Sequence, residues 1–148
     1  MSEKGRPIDI LLIENNSGDI LLTQEALEDG KISNHLHVCR DGEEGLNFLF
    51  KKGNFADAVT PDLILLDLNM PKKDGREVLK VVKSDPELKR IPVVVLTTSE
   101  ADQDILRSYD LHANCYIKKP VNFEQFIEVV KGIEHFWFTV VTLPTFVK

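Results

Sequence analysis

Residues 63–75 read LILLDLNMPKKDG. Four consecutive apolar residues, Leu63 to Leu66, stop at Asp67, and Asp74-Gly75 opens the next element. A strand with one wet face alternates apolar and polar residues, whereas an unbroken apolar run fits a strand buried on both sides. Strands of that kind belong to parallel sheets, in which crossover helices cover both faces. Two other runs share this character: Ile10 to Ile13, stopping at Glu14, and Val93 to Leu96, stopping at Thr97.

Helical patterns separate the runs. Ser17 to Asp29 carries Leu21, Leu22, Ala26 and Leu27 as much of an apolar stripe, with Gly30 as its stop. A short strand is expected at His35 to Cys39, then a helix after Asp41-Gly42 bearing Leu46, Phe48, Leu49 and Phe50. Gly53 and Pro61 bracket a loop. A helix with Val78, Leu79 and Val82 follows Gly75, and another spans Ala101 to Leu111. Cys115 to Ile117 forms a last short strand, and a long helix begins near Asn122. This βα alternation, five times over, predicts an α/β fold with a doubly wound, five-stranded parallel sheet and an extended C-terminal helix. The 148 residues suit one domain. Residues 1–7 are an extension, 8–121 the core, and 122–148 the C-terminal helix and tail.

Composition narrows the function classes. The chain is 43% hydrophobic and 28% charged, an ordinary globular balance, with a formal charge of −6. That charge disfavours non-specific binding to nucleic acid or anionic membranes. No apolar run approaches the roughly 20 residues of a membrane span. The start, MSEKGRPID, enters a strand without a signal-peptide core, so the expected compartment is the reducing cytoplasm, with Cys39 and Cys115 as reduced packing residues. His35, His37, His112 and His135 show no metal-ligand spacing.

Ligands of open parallel sheets bind at the carboxyl ends of the strands. Here those ends carry Glu14-Asn15, Asp67, Thr97-Thr98 and Lys118-Lys119. Acids, hydroxyls and an ammonium gathered in one crevice suit phosphoryl chemistry. Asp67 can act as nucleophile, a hard cation such as Mg²⁺ takes carboxylate oxygens, and threonine and lysine bind phosphate oxygens. No GxxxxGK[ST] loop is present, which argues against a nucleoside triphosphate cradle.

The set LLIEN with Glu14, LILLDLNMPKKDG with Asp67, Asn69, Pro71, Asp74 and Gly75, VVVLTTS with Thr97, and CYIKKP with Tyr116, Lys119 and Pro120 resembles the receiver domain of response regulators, a flavodoxin-like fold. It covers residues 8 to about 130. KKDGREVL, LKRIPVVVLTTS, SYDLHANCY and IEHFWFTVVTLP are similar to the single-domain group that includes cyanobacterial phytochrome response regulators. The resemblance implies that Asp67 accepts phosphate from a histidine kinase, with a phytochrome as candidate kinase. It implies a Mg²⁺ site of Glu14, Asn15, Asp67 and the Asn69 carbonyl. It further implies phosphate-contact and switch roles for Thr97, Tyr116 and Lys119, with Thr98 beside them, and a homodimer.

One position departs from the family. Receivers usually carry two acids after the first strand, and here the second is Asn15. A unit charge near 4 Å is worth roughly 4 kcal/mol at an effective dielectric of ~20, before solvation reduces it. Weaker Mg²⁺ binding is therefore expected, with the acceptor retained. The same departure supports an alternative, a phosphate-independent interaction module. An aspartyl phosphatase is disfavoured, because the position two after Asp67 is Asn69 rather than an acid. At the C-terminus, Phe136-Trp137-Phe138 spreads over about 200° of helix, too wide for one buried stripe. These aromatics are the expected dimer interface, with a tail folded back on its own domain as the alternative.

Overall fold

Strand β3 (Leu63–Asp67) is buried at all five residues, as its unbroken apolar run requires, and holds the centre of the sheet. The structure, a computed structural model, describes residues 7–29, 34–68, 75–97 and 115–118, with backbone alone at Ala26, Asp29, Thr97 and 115–118. In chain order the elements are β1 (Ile8–Ile13), α1 (Ser17–Asp29), β2 (Asn34–Cys39), α2 (Gly42–Leu49), β3, α3 (Gly75–Ser84), β4 (Val93–Thr97) and β5 (Cys115–Lys118). The strands form one parallel sheet ordered β2-β1-β3-β4-β5, the doubly wound arrangement expected from the alternation. The expected helix from Ala101 to Leu111, the Gly30 stop and the C-terminal helix lie outside the described residues.

Both faces are dry. On one, Leu11, Ile13, Ile64, Leu66, Val93 and Val95 pack with Phe48 and Leu49 of α2 and Val78, Leu79 and Val82 of α3. On the other, Ile10, Leu12, Leu63, Leu65, Val94 and Leu96 pack with Ile20 and Leu27 of α1. Along Ile10–Ile13, Leu63–Leu66 and Val93–Leu96 alternate residues thus feed opposite cores, which is why these stretches of β1, β3 and β4 are apolar without a break, whereas β2 at the edge is only half-buried.

The apolar stripe of α1 differs from the expected one. Ile20 and Leu27 face inward together with Thr23, whereas Leu21 is 55% exposed and Leu22 half-buried. Thr23 enters the core because its hydroxyl donates to the Asp19 carbonyl at 2.8 Å, which satisfies the polar group within the helix. Of the expected stripe Leu27 faces inward, the side chain of Ala26 lies outside the described residues, and Ile20 and Thr23 take the inner face in place of Leu21 and Leu22. Phe50, expected within the second helix, is the residue that caps α2 and is exposed. Among the described residues, no helix is long and apolar enough to cross a membrane.

Candidate functional site

Strand register carries the acids to one place. Ile13 pairs with Leu66, so Glu14 and Asp67, each one residue further on, emerge side by side at the C-terminal edge. Asp67 pairs with Leu96, and Thr97 pairs with Lys118. The backbone therefore brings Glu14, Asp67, Thr97 and Lys118 to the same edge of four adjoining strands. Tyr116 pairs with Val95 in β5. The side chains of Thr97 and Tyr116, and all of Asn69, Thr98, Lys119, Phe136, Trp137 and Phe138, lie outside the described residues.

Glu14 is fully buried and Asp67 is 3% exposed, whereas Asn15 is exposed. Two carboxylates are costly to bury unless donors or a cation meet them. Local bonding organises the turn around them. The Glu14 N–H continues the β1–β2 ladder by donating to the Cys39 carbonyl at 3.0 Å. The Asn16 N–H donates to Glu14 Oε2 at 3.2 Å, and Asn16 Oδ1 accepts from the Asp19 N–H at 2.9 Å. Asn16 is thus the N-cap of α1. The two amides that follow Glu14 stand differently: Asn16 starts the helix, and Asn15 is exposed on the turn beside the two buried acids.

Arg40, just past β2, closes this turn from the side. Its guanidinium donates to the Asn15 carbonyl at 3.3 Å and to Ser17 Oγ at 2.7 Å. Neither Arg40 nor the Asn16 cap was singled out from the sequence. An asparagine with an acid three residues on, ahead of an apolar stripe, was the available sign for the cap. No local sequence pattern marks Arg40, because its partners are 25 and 23 residues away.

Gly75 closes in on the end of β3 from the other side. Its N–H donates to the Leu68 carbonyl at 3.0 Å. A Cβ at this position would lie 2.6 Å from both the Asp67 carbonyl oxygen and Leu68 Cα. Only a residue without a side chain lets α3 start so close to the end of β3.

The donor set suits a hard divalent cation. Mg²⁺ is commonly held by one or two carboxylates and keeps several waters. Glu14 and Asp67 could supply two carboxylates, and Asn15, on the adjoining turn, carries an amide oxygen that could add a neutral ligand. Among the described residues, no group of three or more His, Cys, Asp and Glu side chains is placed to hold a metal ion. His35 and His37 instead flank Asp9 at the far end of the sheet, with His37 Nε2 3.1 Å from Asp9 Oδ1.

The Response regulator receiver domain profile matches residues 10–131 of the chain. The chain belongs to the response regulator receiver family. As a receiver it is a phosphorylation-based signalling module of the two-component type, and the phosphate-independent alternative is not favoured. It is 49% identical over 142 residues to Response regulator Rcp1 of Synechocystis sp., covering 96% of this chain and 97% of that protein. The crystal structure of the phosphorylated cyanobacterial phytochrome response regulator RcpA superposes with a TM-score of 0.79 at 54% identity, covering 90% of this chain and 96% of that one. The Mn²⁺-bound form of Rcp1 superposes with a TM-score of 0.78 at 48% identity, over 90% and 96% of the two chains.

Proposed function

We propose that Asp67 is the phosphoacceptor and that Glu14, Asp67, the Asn15 amide and the Asn69 carbonyl hold Mg²⁺ beside it. The observation that carries this reading is the side-by-side emergence of two buried carboxylates, Glu14 and Asp67, at the C-terminal edge of a parallel sheet. A phosphorylated relative and a Mn²⁺-bound relative of the same fold support it.

In this reading an Asp67 carboxylate oxygen attacks the phosphorus of a phosphohistidine. The O–P bond forms as the N–P bond breaks, and the imidazole leaves with the electron pair and takes up a proton. The cation, when bound, offsets negative charge on the phosphoryl oxygens. Glu14 keeps the pocket acidic and is itself oriented by the Asn16 N–H. Thr97 and Lys119 bind phosphoryl oxygens, Thr98 adjoins them, and Tyr116 changes rotamer as Thr97 is drawn in. The added charge of about −1.5 to −2 reshapes the face of β4 and β5.

The donor is a histidine kinase, and the phytochrome and bacteriophytochrome response regulators among the similar structures favour a phytochrome-type kinase. Residues 1–148 act as one receiver domain in the cytoplasm, without nucleic acid or membrane. Residues 122–148 pair two copies through Phe136, Trp137 and Phe138. Incubation with acetyl phosphate and Mg²⁺, read by intact mass, tests the acceptor. One phosphoryl adduct is expected on the wild type and none on Asp67→Ala. An unmodified wild type, or an adduct that survives Asp67→Ala, overturns the assignment.

A further inference from the structure

We propose that Arg40 is a positioning residue of the cation site, matched to an amide rather than an acid at position 15. The inference rests on the reading of Glu14, Asn15 and Asp67 as metal ligands. Cys39 pairs with Ile13, so Arg40 leaves β2 next to Glu14. Its backbone is fixed at the start of α2: the Arg40 N–H donates to Glu44 Oε1 at 2.6 Å, and Asp41 Oδ1 caps the Glu44 N–H at 2.8 Å. From this base one guanidinium nitrogen reaches both the Asn15 carbonyl and the Ser17 hydroxyl. With the Asn16 bonds to Glu14 and Asp19, these contacts tie residues 14–19 into one braced turn. None of these bonds uses the Asn15 amide, so the turn is held without occupying the group offered to the cation.

The arrangement depends on which side chain occupies position 15. A guanidinium is a strong, multi-donor partner for a carboxylate. Beside an aspartate it would be drawn onto the side chain and compete with the cation for it. Beside an asparagine no such pair forms, and the guanidinium braces the backbone instead. Arg40 therefore helps cation binding in the native chain and opposes it once position 15 carries an acid. That reversal of sign separates a matched positioning role from general support of the fold.

The test is a double-mutant cycle on the full chain with Mn²⁺ alone, read by loss of the free-ion paramagnetic resonance signal. Arg40→Gln is expected to weaken Mn²⁺ binding about threefold in the native background, the scale of an exposed charged contact. In the Asn15→Asp background the same change is expected to strengthen binding by about the same factor. Arg40→Lys keeps a multi-donor cation and should stay within about twofold of wild type, which keeps the test open if Arg40→Gln melts early. An unchanged affinity for Arg40→Gln, or the same loss in both backgrounds, overturns the proposal. Acetyl phosphate labelling run alongside separates the two readings. A wild type that is phosphorylated at Asp67 and binds Mn²⁺, with Arg40→Gln titrating identically, sinks the Arg40 proposal alone. A wild type that takes neither phosphate nor Mn²⁺ sinks the site assignment beneath it.

Discussion

Asn15 stands where the receiver pattern leads one to expect a second acid, and its surroundings define what the amide does there. Glu14 and Asp67 remain buried, so the pocket keeps two carboxylates while the position that usually adds a third offers an amide oxygen. Asn15 is exposed, and water therefore screens much of the lost attraction for a cation. Asn15→Asp is expected to tighten Mg²⁺ binding about tenfold, or about 1.4 kcal/mol, well below the unscreened Coulomb figure. Calorimetric titration with Mg²⁺ measures it directly, and equal affinities would show that the amide already serves as well as the acid. Asn16, one residue on, is bound to the helix start and has no comparable freedom to change.

At the scale of elements, the site is a product of strand ends and helix starts. The helix-start bonds of α1 and α2 organise the turns after β1 and β2, and α3 approaches so closely that its first residue touches the backbone of β3. Gly75→Ala must push α3 away from Asp67 or bend the strand end. We expect a loss of about 1–3 kcal/mol in urea unfolding, the usual cost of overpacking, together with slower Asp67 phosphorylation. A variant with wild-type stability and rate would show that the loop relaxes freely. Cys39, the last residue of β2, gives a second element-scale prediction. Burial pushes its thiol from 9.0 up to about 12, with smaller contributions from Glu44 and Asp41. The folded state thus holds the proton that the unfolded chain releases above pH 9. The thiol's contribution to stability is complete below that pH and is lost as pH rises towards 12. Urea midpoints between pH 8 and 11 should fall less steeply for Cys39→Ala than for wild type, and parallel slopes would count against the linkage.

At the scale of the whole molecule, the described residues bury β1, β3 and β4 on both faces, and the proposed switch acts where these strands end, at the C-terminal edge. Phosphate at Asp67 would sit where β1, β3 and β4 end together, so one added charge reaches three elements at once. The proposed pairing of two copies through Phe136, Trp137 and Phe138 is tested at this scale. Light scattering at high micromolar concentration is expected to give a dimer, and Trp137→Ala should shift it towards monomer. A strictly monomeric wild type would remove the aromatics from the interface.

The parallel sheet was readable from Leu63 to Leu66 and Val93 to Leu96, because burial on both faces leaves no room for a polar residue in a strand. The candidate acids were readable for a related reason: each apolar run ends on an acid, Glu14 or Asp67, and breaks of that kind mark the edge where the core ends. The inward face of α1 was not, because Thr23 hides its hydroxyl in a bond to its own helix and so behaves as an apolar residue that hydropathy does not recognise. The Arg40 brace and the closeness of Gly75 to Asp67 depended on folding. Each joins segments that belong to different elements, and such contacts exist only once strand register and helix packing have set the distances between them.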